Sequence, residues 1–232
     1  MTDSNETDVA GDTKLIEPRR DYQNDALSRA DLDGSPLTQF STWLQDARNA
    51  GLIDATSMCL STVDAAGLPH SRIVLLKAFD EQGFVWFTDR HSNKGQELKD
   101  RPVAAILFFW RELERQVRIE GDVSKVDDAL SDQYFYSRPA GSRFSAAASR
   151  QSAPVSKRQI LVDEVAELQA RHPDDKVPRP PRWGGYRLQP NRFEFWQGRA
   201  DRLHDRFVYT SPAAQSQAAD TERPWLVQRL CP

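Results

Sequence analysis

The stretch SMCLSTVDAAGLPHSRIVLLKAFDEQGFVWFT, residues 57–88, decides the fold class. Ser57 to Val63 is rich in strand formers and runs into the turn Asp64-Ala-Ala-Gly67. A second strand is expected over 70–79, closed by Asp80-Glu-Gln-Gly83, and a third over 84–88. Parallel strands need long crossovers, so strands joined by turns this short predict an antiparallel barrel or sandwich. Working outward, Val103 to Trp110 is an unbroken apolar run and reads as a strand buried on both faces. Residues 114–123 alternate, with Val117 and Ile119 on one face. On the N-terminal side Pro36, Leu37, Phe40, Trp43, Leu44 and Ala47 recur at helical spacing, which predicts one amphipathic helix.

The remaining elements follow from local patterns. A short helix is expected over 92–99 with Ser92 as its N-cap. Another is expected over 127–136, and Ser156-Lys-Arg-Gln159 reads as a capping box opening a helix with Leu161, Val165 and Leu168 on one face. Between these two helices, residues 137–154 are rich in Ser, Arg, Ala and Gly and read as a binding loop. After a Pro-rich connector, strands are expected over 185–188 with 192–197, then 202–209 and 225–230, with 211–222 an exposed loop.

Composition narrows the function. The 232 residues carry 31 Lys and Arg against 34 Asp and Glu, a formal net charge of −3, which argues against a general nucleic-acid binder. The apolar run 103–110 is too short to span a bilayer, and the acidic start has no features of an export signal. Cys59 and Cys231 form no disulfide framework, so a cytoplasmic protein is expected. GxGxxG, GxxxxGK[ST], HExxH, CxxC and GxSxG are all absent, and the four histidines lack metal-ligand spacing.

Three cationic sets stand out. In Arg202-Leu-His-Asp-Arg-Phe207, strand alternation would put Arg202, His204 and Arg206 on one face, a site for an anionic planar ligand or a solvated edge strand. From Arg179 to Arg206 seven Arg face only three acids, with Trp183, Tyr186, Phe193, Phe195 and Trp196 interleaved, which favours a small phosphorylated aromatic ligand. Arg72-Ile-Val-Leu-Leu-Lys77 brackets four aliphatics with two charges. Their odd separation sends them to opposite faces of a regular strand, so one ligand could meet both only at a bulge or round an edge. Tyr134, Arg138 and Ser142 recur at spacing four near a helix end and supply convergent donors, as phosphate recognition needs.

These sets in this order resemble the pyridoxamine 5′-phosphate oxidase family. The matching segments are Arg19-Arg-Asp-Tyr22, Arg72 to Lys77, Glu114-Arg-Gln-Val117, Tyr134 to Pro139, Arg150-Gln-Ser152, Trp183-Gly-Gly185, Glu194 to Gly198, Arg202 to Phe207 and the terminal Arg229-Leu-Cys-Pro232. The resemblance implies an α+β fold: an antiparallel FMN-binding split β-barrel with peripheral helices, homodimeric, with FMN between subunits. The acidic, aromatic-free start is expected to be a disordered tail over 1–16. The resemblance implies a lid over 17–35, the FMN-binding barrel over 36–172, a connector over 173–182 and a C-terminal strand region over 183–232 that completes barrel and interface.

By the same resemblance Arg72 and Lys94 would hold the FMN phosphate, and the backbone of Ile73, Val74, Leu75 and Leu76 would run beside the flavin. Lys77, Phe87, Thr88, Asn93, Gln116, Gln151, Ser152, Trp196 and Arg206 would complete the cofactor site. Lys77, Tyr134, Arg138 and Ser142 would meet the substrate phosphate. Arg202, Leu203 and His204 would flank its pyridine ring, with Arg202 and His204 catalytic, and Arg19 with Tyr22 would close over it. Two arginines beside His204 are expected to keep it neutral at pH 7. The family often has Arg where this chain has Asn93, a loss of about 1.5–3 kcal/mol unless a neighbour such as Arg90 substitutes. The implied reaction is oxidation of pyridoxamine and pyridoxine 5′-phosphates to pyridoxal 5′-phosphate by O2, with H2O2 formed and no metal. A split-barrel flavin oxidase acting on another aromatic, as in phenazine formation, and a non-catalytic flavin carrier are the alternatives.

Overall fold

The structure, a computed structural model, describes Tyr22 and residues 26–215 and 224–232. Among these residues nine strands form one antiparallel sheet. They are β1 (Ser57–Val63), β2 (Pro69–Leu75), β3 (Ala78–Asp80), β4 (Gly83–Asp89), β5 (Val103–Trp110), β6 (Arg115–Lys125), β7 (Trp183–Gln197), β8 (Asp205–Thr210) and β9 (Leu226–Leu230). Their order is β2-β1-β5-β6-β7-β4-β3, with β8 joined to β7 and β9 to β8. β2 and β3 are consecutive pieces of chain at the two ends of that order, so the sheet curls into a barrel. The helices are α1 (Pro36–Asn49), α2 (Asn93–Asp100), α3 (Asp128–Ser137), α4 (Ala140–Ala148), α5 (Arg158–Arg171) and the short α6 (Pro212–Gln215). α6 replaces the start of the loop expected over 211–222, and residues 216–222 lie outside the described residues.

α1 plugs the curl. Pro36 takes the first helical position, where no N–H is needed, and the Ser35 hydroxyl accepts from the Thr38 N–H at 3.4 Å. Phe40 is fully buried and meets Phe79, Phe84 and Phe108 at ring separations of 5.0–5.1 Å, while Trp43 packs edge-on against Phe195 at 5.2 Å. Leu60, Ile106, Val117, Ile119 and Phe193 complete this core from the strands. A smaller core of Phe135, Phe144, Val177 and Trp183 holds α3 and α4 to the sheet.

Several local expectations are corrected. The second strand is not continuous over 70–79: it breaks after Leu75, where the Leu76 N–H still donates to Thr56 O but the Lys77 N–H donates to Val85 O, each at 2.9 Å. β5 is not buried on both faces; it alternates, and Phe109 is 53% exposed. The expected loop 137–154 contains α4, whose Phe144 is buried. Ser92 sits at the N-cap position of α2, yet its hydroxyl donates back to Asp89 O at 2.6 Å, and α5 begins after Lys157 without a capping box. Leu161, Val165 and Leu168 do share the inner face of α5, each only partly buried.

The two strands expected around Pro190 are one. β7 pairs with β6 along its length, with β4 over 183–188 and with β8 over 192–197. Pro190 lies where the β6 register shifts between Glu120 and Gly121, so its missing N–H interrupts no regular ladder. Gly121 allows this crossing, because a Cβ there would overlap the carbonyl of Gln189. Gly121→Ala is therefore expected to lower stability by about 1–3 kcal/mol, measured as a shift in urea midpoint without a change in m.

Candidate active site

The break after β2 opens onto a cavity of about 970 Å³. Arg72, Ile73, Val74 and Leu75 line it from β2, and Lys77 from the two-residue crossover. Phe87 and Thr88 line it from β4, Lys94 from α2, Tyr134 from α3, Arg138 and Ser142 from the α3–α4 corner, and Gln151 and Ser152 from the loop after α4. Thirteen of the sequence-derived site residues thus share one space. The parity problem of Arg72 and Lys77 is solved within a single chain, because the strand between them is broken. Leu76 is the exception in its segment: its side chain is buried in the core.

Two cationic pairs face this cavity. Lys94 is 7% exposed, has no carboxylate within salt-bridge distance among the described residues, and donates to Gln151 Oε1 at 2.9 Å. Burial and the neighbouring Arg72 push its pKa down, against the pull of Glu97 and Asp89. Gln151 Oε1 also accepts from Thr88 at 2.7 Å. Lys77 stands 6.0 Å from the Tyr134 ring centroid. Arg138 lies 4.9 Å over the Trp183 ring, its pKa is lowered by burial, and its Nη1 is buried with no hydrogen-bond partner. An unpaired buried guanidinium nitrogen beside a cavity is a site waiting for an anion.

Arg72 is held from behind. It donates to Thr62 Oγ1 and, at 3.1 Å, to Glu97 Oε2. Glu97 also accepts from Thr62, and from His70 Nδ1 at 2.8 Å. Burial opposes ionisation of Glu97, but hydrogen bonds from Thr62, Arg72 and His70 outweigh it and hold the carboxyl below its ordinary pKa. Sequence reading passed over Glu97, which looks like one more charge on a short helix. The available signal was its spacing of three from Lys94, which puts both on one helix face.

The other expected site residues lie elsewhere. Gln116, Trp196 and Arg206 form a cross-strand row on β6, β7 and β8, on the face away from the core. The expectation that Arg202, His204 and Arg206 share a strand face is overturned. β8 begins only at Asp205, and Ala200–Arg202 form a 3-10 turn in which Asp201 and Arg202 take φ of 55° and 62°. Positive φ at two successive non-glycine residues stores backbone strain, which concentrates at functional sites.

His204 packs against Trp196 at 4.7 Å with the rings tilted by 46° and meets Tyr22 edge-on at 5.4 Å, and its Nδ1 accepts the Arg199 N–H at 3.1 Å. Its pKa is lowered, as expected, but by burial first and Arg202 second. Arg206 contributes no such push, since it is paired with Glu194 at 2.8 Å. Gly198 makes room for Tyr22, whose ring a Cβ would strike. Arg202 and Leu203 are exposed, and Arg19 lies outside the described residues.

The arginine excess over 179–206 is largely neutralised by acids from other segments: Arg179 pairs with Asp132, Arg182 with Asp89 and Arg187 with Asp80. Arg90 does not stand in beside Asn93. It packs over Gly184 and pairs with Asp128, and the exposed Arg150 shares a 440 Å³ recess with Asn93 instead. Trp183, which the sequence reading quoted without a role, lines the main cavity and stacks on Phe87 at 5.5 Å. Among the described residues no His, Cys, Asp and Glu group could hold a metal, and no helix is long and apolar enough to cross a membrane.

The chain is similar to known proteins over most of its length. Residues 44–172 match the family described as "Pyridoxamine 5'-phosphate oxidase", and residues 183–232 match its "Pyridoxine 5'-phosphate oxidase C-terminal dimerisation region". A pyridoxine/pyridoxamine 5'-phosphate oxidase of Burkholderia thailandensis is 49% identical over 220 residues, covering 95% of this chain and 100% of the relative. One of Burkholderia mallei is 48% identical over the same shares. Among solved structures, PhzG from Burkholderia lata, in complex with tetrahydrophenazine-1-carboxylic acid, superposes with TM-score 0.81 at 30% identity, covering 90% of this chain and 99% of that one. A pyridoxamine 5'-phosphate oxidase-related, FMN binding protein of Nostoc punctiforme shares the fold at TM-score 0.65 and 17% identity, over 87% and 100%. With one family match covering more than half its length and close relatives nearly end to end, the chain belongs to the pyridoxamine 5′-phosphate oxidase family.

Proposed function

We propose that this protein is an FMN-dependent oxidase of the cytoplasm that converts pyridoxine and pyridoxamine 5′-phosphates to pyridoxal 5′-phosphate. The alcohol and O2 give the aldehyde and H2O2; the amine also consumes water and releases ammonia. One observation carries the reading: a single cavity of about 970 Å³ holds two cationic pairs, Arg72 with Lys94 and Lys77 with Arg138. Two phosphates are to be bound, one on the cofactor and one on the substrate, and each pair suits one. The buried, unpaired Nη1 of Arg138 and the carboxylate-free Lys94 are the features that make an anionic, phosphorylated flavin fit.

In this reading FMN, when bound, supplies the two-electron acceptor and the reaction with O2. The chain supplies placement. Arg72 and Lys94 would hold the cofactor phosphate, and the β2 edge from Ile73 to Leu75 would, with Phe87, Thr88, Gln151 and Ser152, form the walls for the rest of the cofactor. Lys77, Tyr134, Arg138 and Ser142 hold the substrate phosphate and thereby fix which carbon faces the flavin. The remaining set, Gln116, Trp196, Arg206, Arg202, Leu203, His204 and Tyr22, comes from a second copy of the chain. Support for this is the match of residues 183–232 to a dimerisation region and the apolar outer face of β2 and β5, where Ile73 is 67% and Phe109 53% exposed. Arg202 and His204 would then enclose the pyridine ring and exclude water. The likeness to PhzG makes a larger aromatic the competing substrate class, and Lys77 with Arg138 favours the phosphorylated one.

Anaerobic titration of the FMN-loaded protein with pyridoxine 5′-phosphate is expected to bleach the flavin, and air to restore it with one pyridoxal 5′-phosphate and one H2O2 per turnover. A flavin that bleaches with neither B6 phosphate rules the reading out. Arg138→Ala is expected to raise KM for pyridoxine 5′-phosphate by about tenfold to hundredfold, the loss of a charge-assisted contact, with FMN retained. Because the His204 pKa lies below the usual 6.5, the ring is already neutral at pH 7. The kcat/KM profiles of wild type and His204→Asn should therefore keep the same shape above about pH 7.5, well clear of the ordinary imidazole range, and differ only in height. As pH falls below 6.5 the unfolded chain takes up this proton before the folded one, so the wild type alone loses the corresponding stability.

A further inference from the structure

We propose that Glu97 is a positioning residue that aims Arg72 at the phosphate of the cofactor, an inference that rests on the FMN reading above. A carboxylate in the wall of an anion site is at first sight a defect, since its charge opposes the ligand's. Its geometry explains its presence. The carboxylate is 8% exposed and uses both oxygens: Oε1 on His70 and Oε2 on Arg72 and Thr62. Thr62, itself fully buried, bridges Glu97 and Arg72. The terminal nitrogens of Arg72 are thereby engaged from behind, Nη1 by Thr62 and by Leu60 O at 3.4 Å, and Nη2 by Glu97. Its Nε–H makes no hydrogen bond among the described residues, and the side chain lines the cavity.

An arginine side chain has many rotamers, and ordering one on binding weakens the complex by about threefold to tenfold. Held by Glu97 and Thr62, Arg72 is ordered beforehand. Lys94, reaching the cavity from the same helix as Glu97, has no carboxylate within salt-bridge distance among the described residues and stays the uncompensated charge of the pair. The division of labour is one point charge that attracts and one fork that orients.

Two effects of removing the carboxylate oppose one another, and this makes the test decisive. If Glu97 were only ballast, Glu97→Gln would tighten FMN binding, because a negative charge near the phosphate is lost. If it positions Arg72, the same change weakens FMN. The full-length protein, stripped of flavin, is titrated with FMN and with riboflavin, and quenching of flavin fluorescence gives each Kd. Wild type should prefer FMN strongly; equal affinities would overturn the FMN-phosphate reading itself. In a wild type that does discriminate, Glu97→Gln should bind FMN about threefold to tenfold more weakly and riboflavin unchanged. In an Arg72→Ala background, Glu97→Gln should change FMN affinity by less than about 1.5-fold, the signature of action through Arg72. Unchanged or tighter FMN binding overturns the proposal, and so does an equal loss for both flavins, which a merely structural role would give. Should Glu97→Gln not fold, Thr62→Val removes the other anchor at constant shape and must show the same split between FMN and riboflavin.

Discussion

Two peptide units hold the architecture together. At Leu76 the chain is still hydrogen-bonded to the segment before β1, and at Lys77 it is already bonded to β4. The two neighbours lie one strand in from opposite ends of the sheet order, so this change of partner converts an open sheet into a barrel. It also brings Arg72 and Lys77 into one cavity despite their odd separation. Backbone N–H groups cannot be left unpaired in such a place, and the switch is tolerable because each donor finds a carbonyl at once. The aromatic plug of α1, with Phe40 against Phe79 and Phe84 on the far side of the break, packs where the curl has closed.

Several arginines in this molecule are held by buried acids supplied from a distance. Glu97 on α2 holds Arg72 on β2, Asp89 on β4 holds Arg182, and Glu194 on β7 holds both Arg118 and Arg206. A guanidinium whose partner is fixed presents its remaining donors in a fixed direction, and little entropy is then lost when a ligand arrives. Lys77, Lys94 and Arg138, which line the cavity, have no carboxylate partner among the described residues, and the proposed phosphate sites rest on their charge. This is why an arginine-rich chain of nearly balanced charge can carry a strongly anionophilic pocket.

The second group of residues has a different character. Trp196, His204 and Tyr22 pack together beside a strained turn, Tyr22 edge-on to both of the others, and Gln116 and Arg206 flank them on the sheet's outer face. Nothing in the single chain brings this group into the cavity, whereas the neighbouring outer face is apolar at Ile73, Leu75 and Phe109. The proposed site assembled from two copies would explain both facts with one contact.

Much of this was legible in sequence. The helical spacing of Phe40, Trp43, Leu44 and Ala47, the bounds of β1 and β5, and the alternation of Val117 and Ile119 are local periodicities, and local periodicity survives in one dimension. The resemblance, carried by ordered short motifs, marked thirteen residues that the fold gathers into one cavity. What only the tertiary structure decided depends on competition between distant partners. The break after Leu75 exists because β4 outbids β1 for one N–H, and the joining of 185–188 with 192–197 exists because β6 runs beside both. The turn at Arg202 displaced an expected strand, and Glu97 gained its place only when α2 was laid against β1 and β2. A hydrogen bond between residues tens of positions apart leaves no periodic trace in the chain, so its consequences appear only once the sheet has closed.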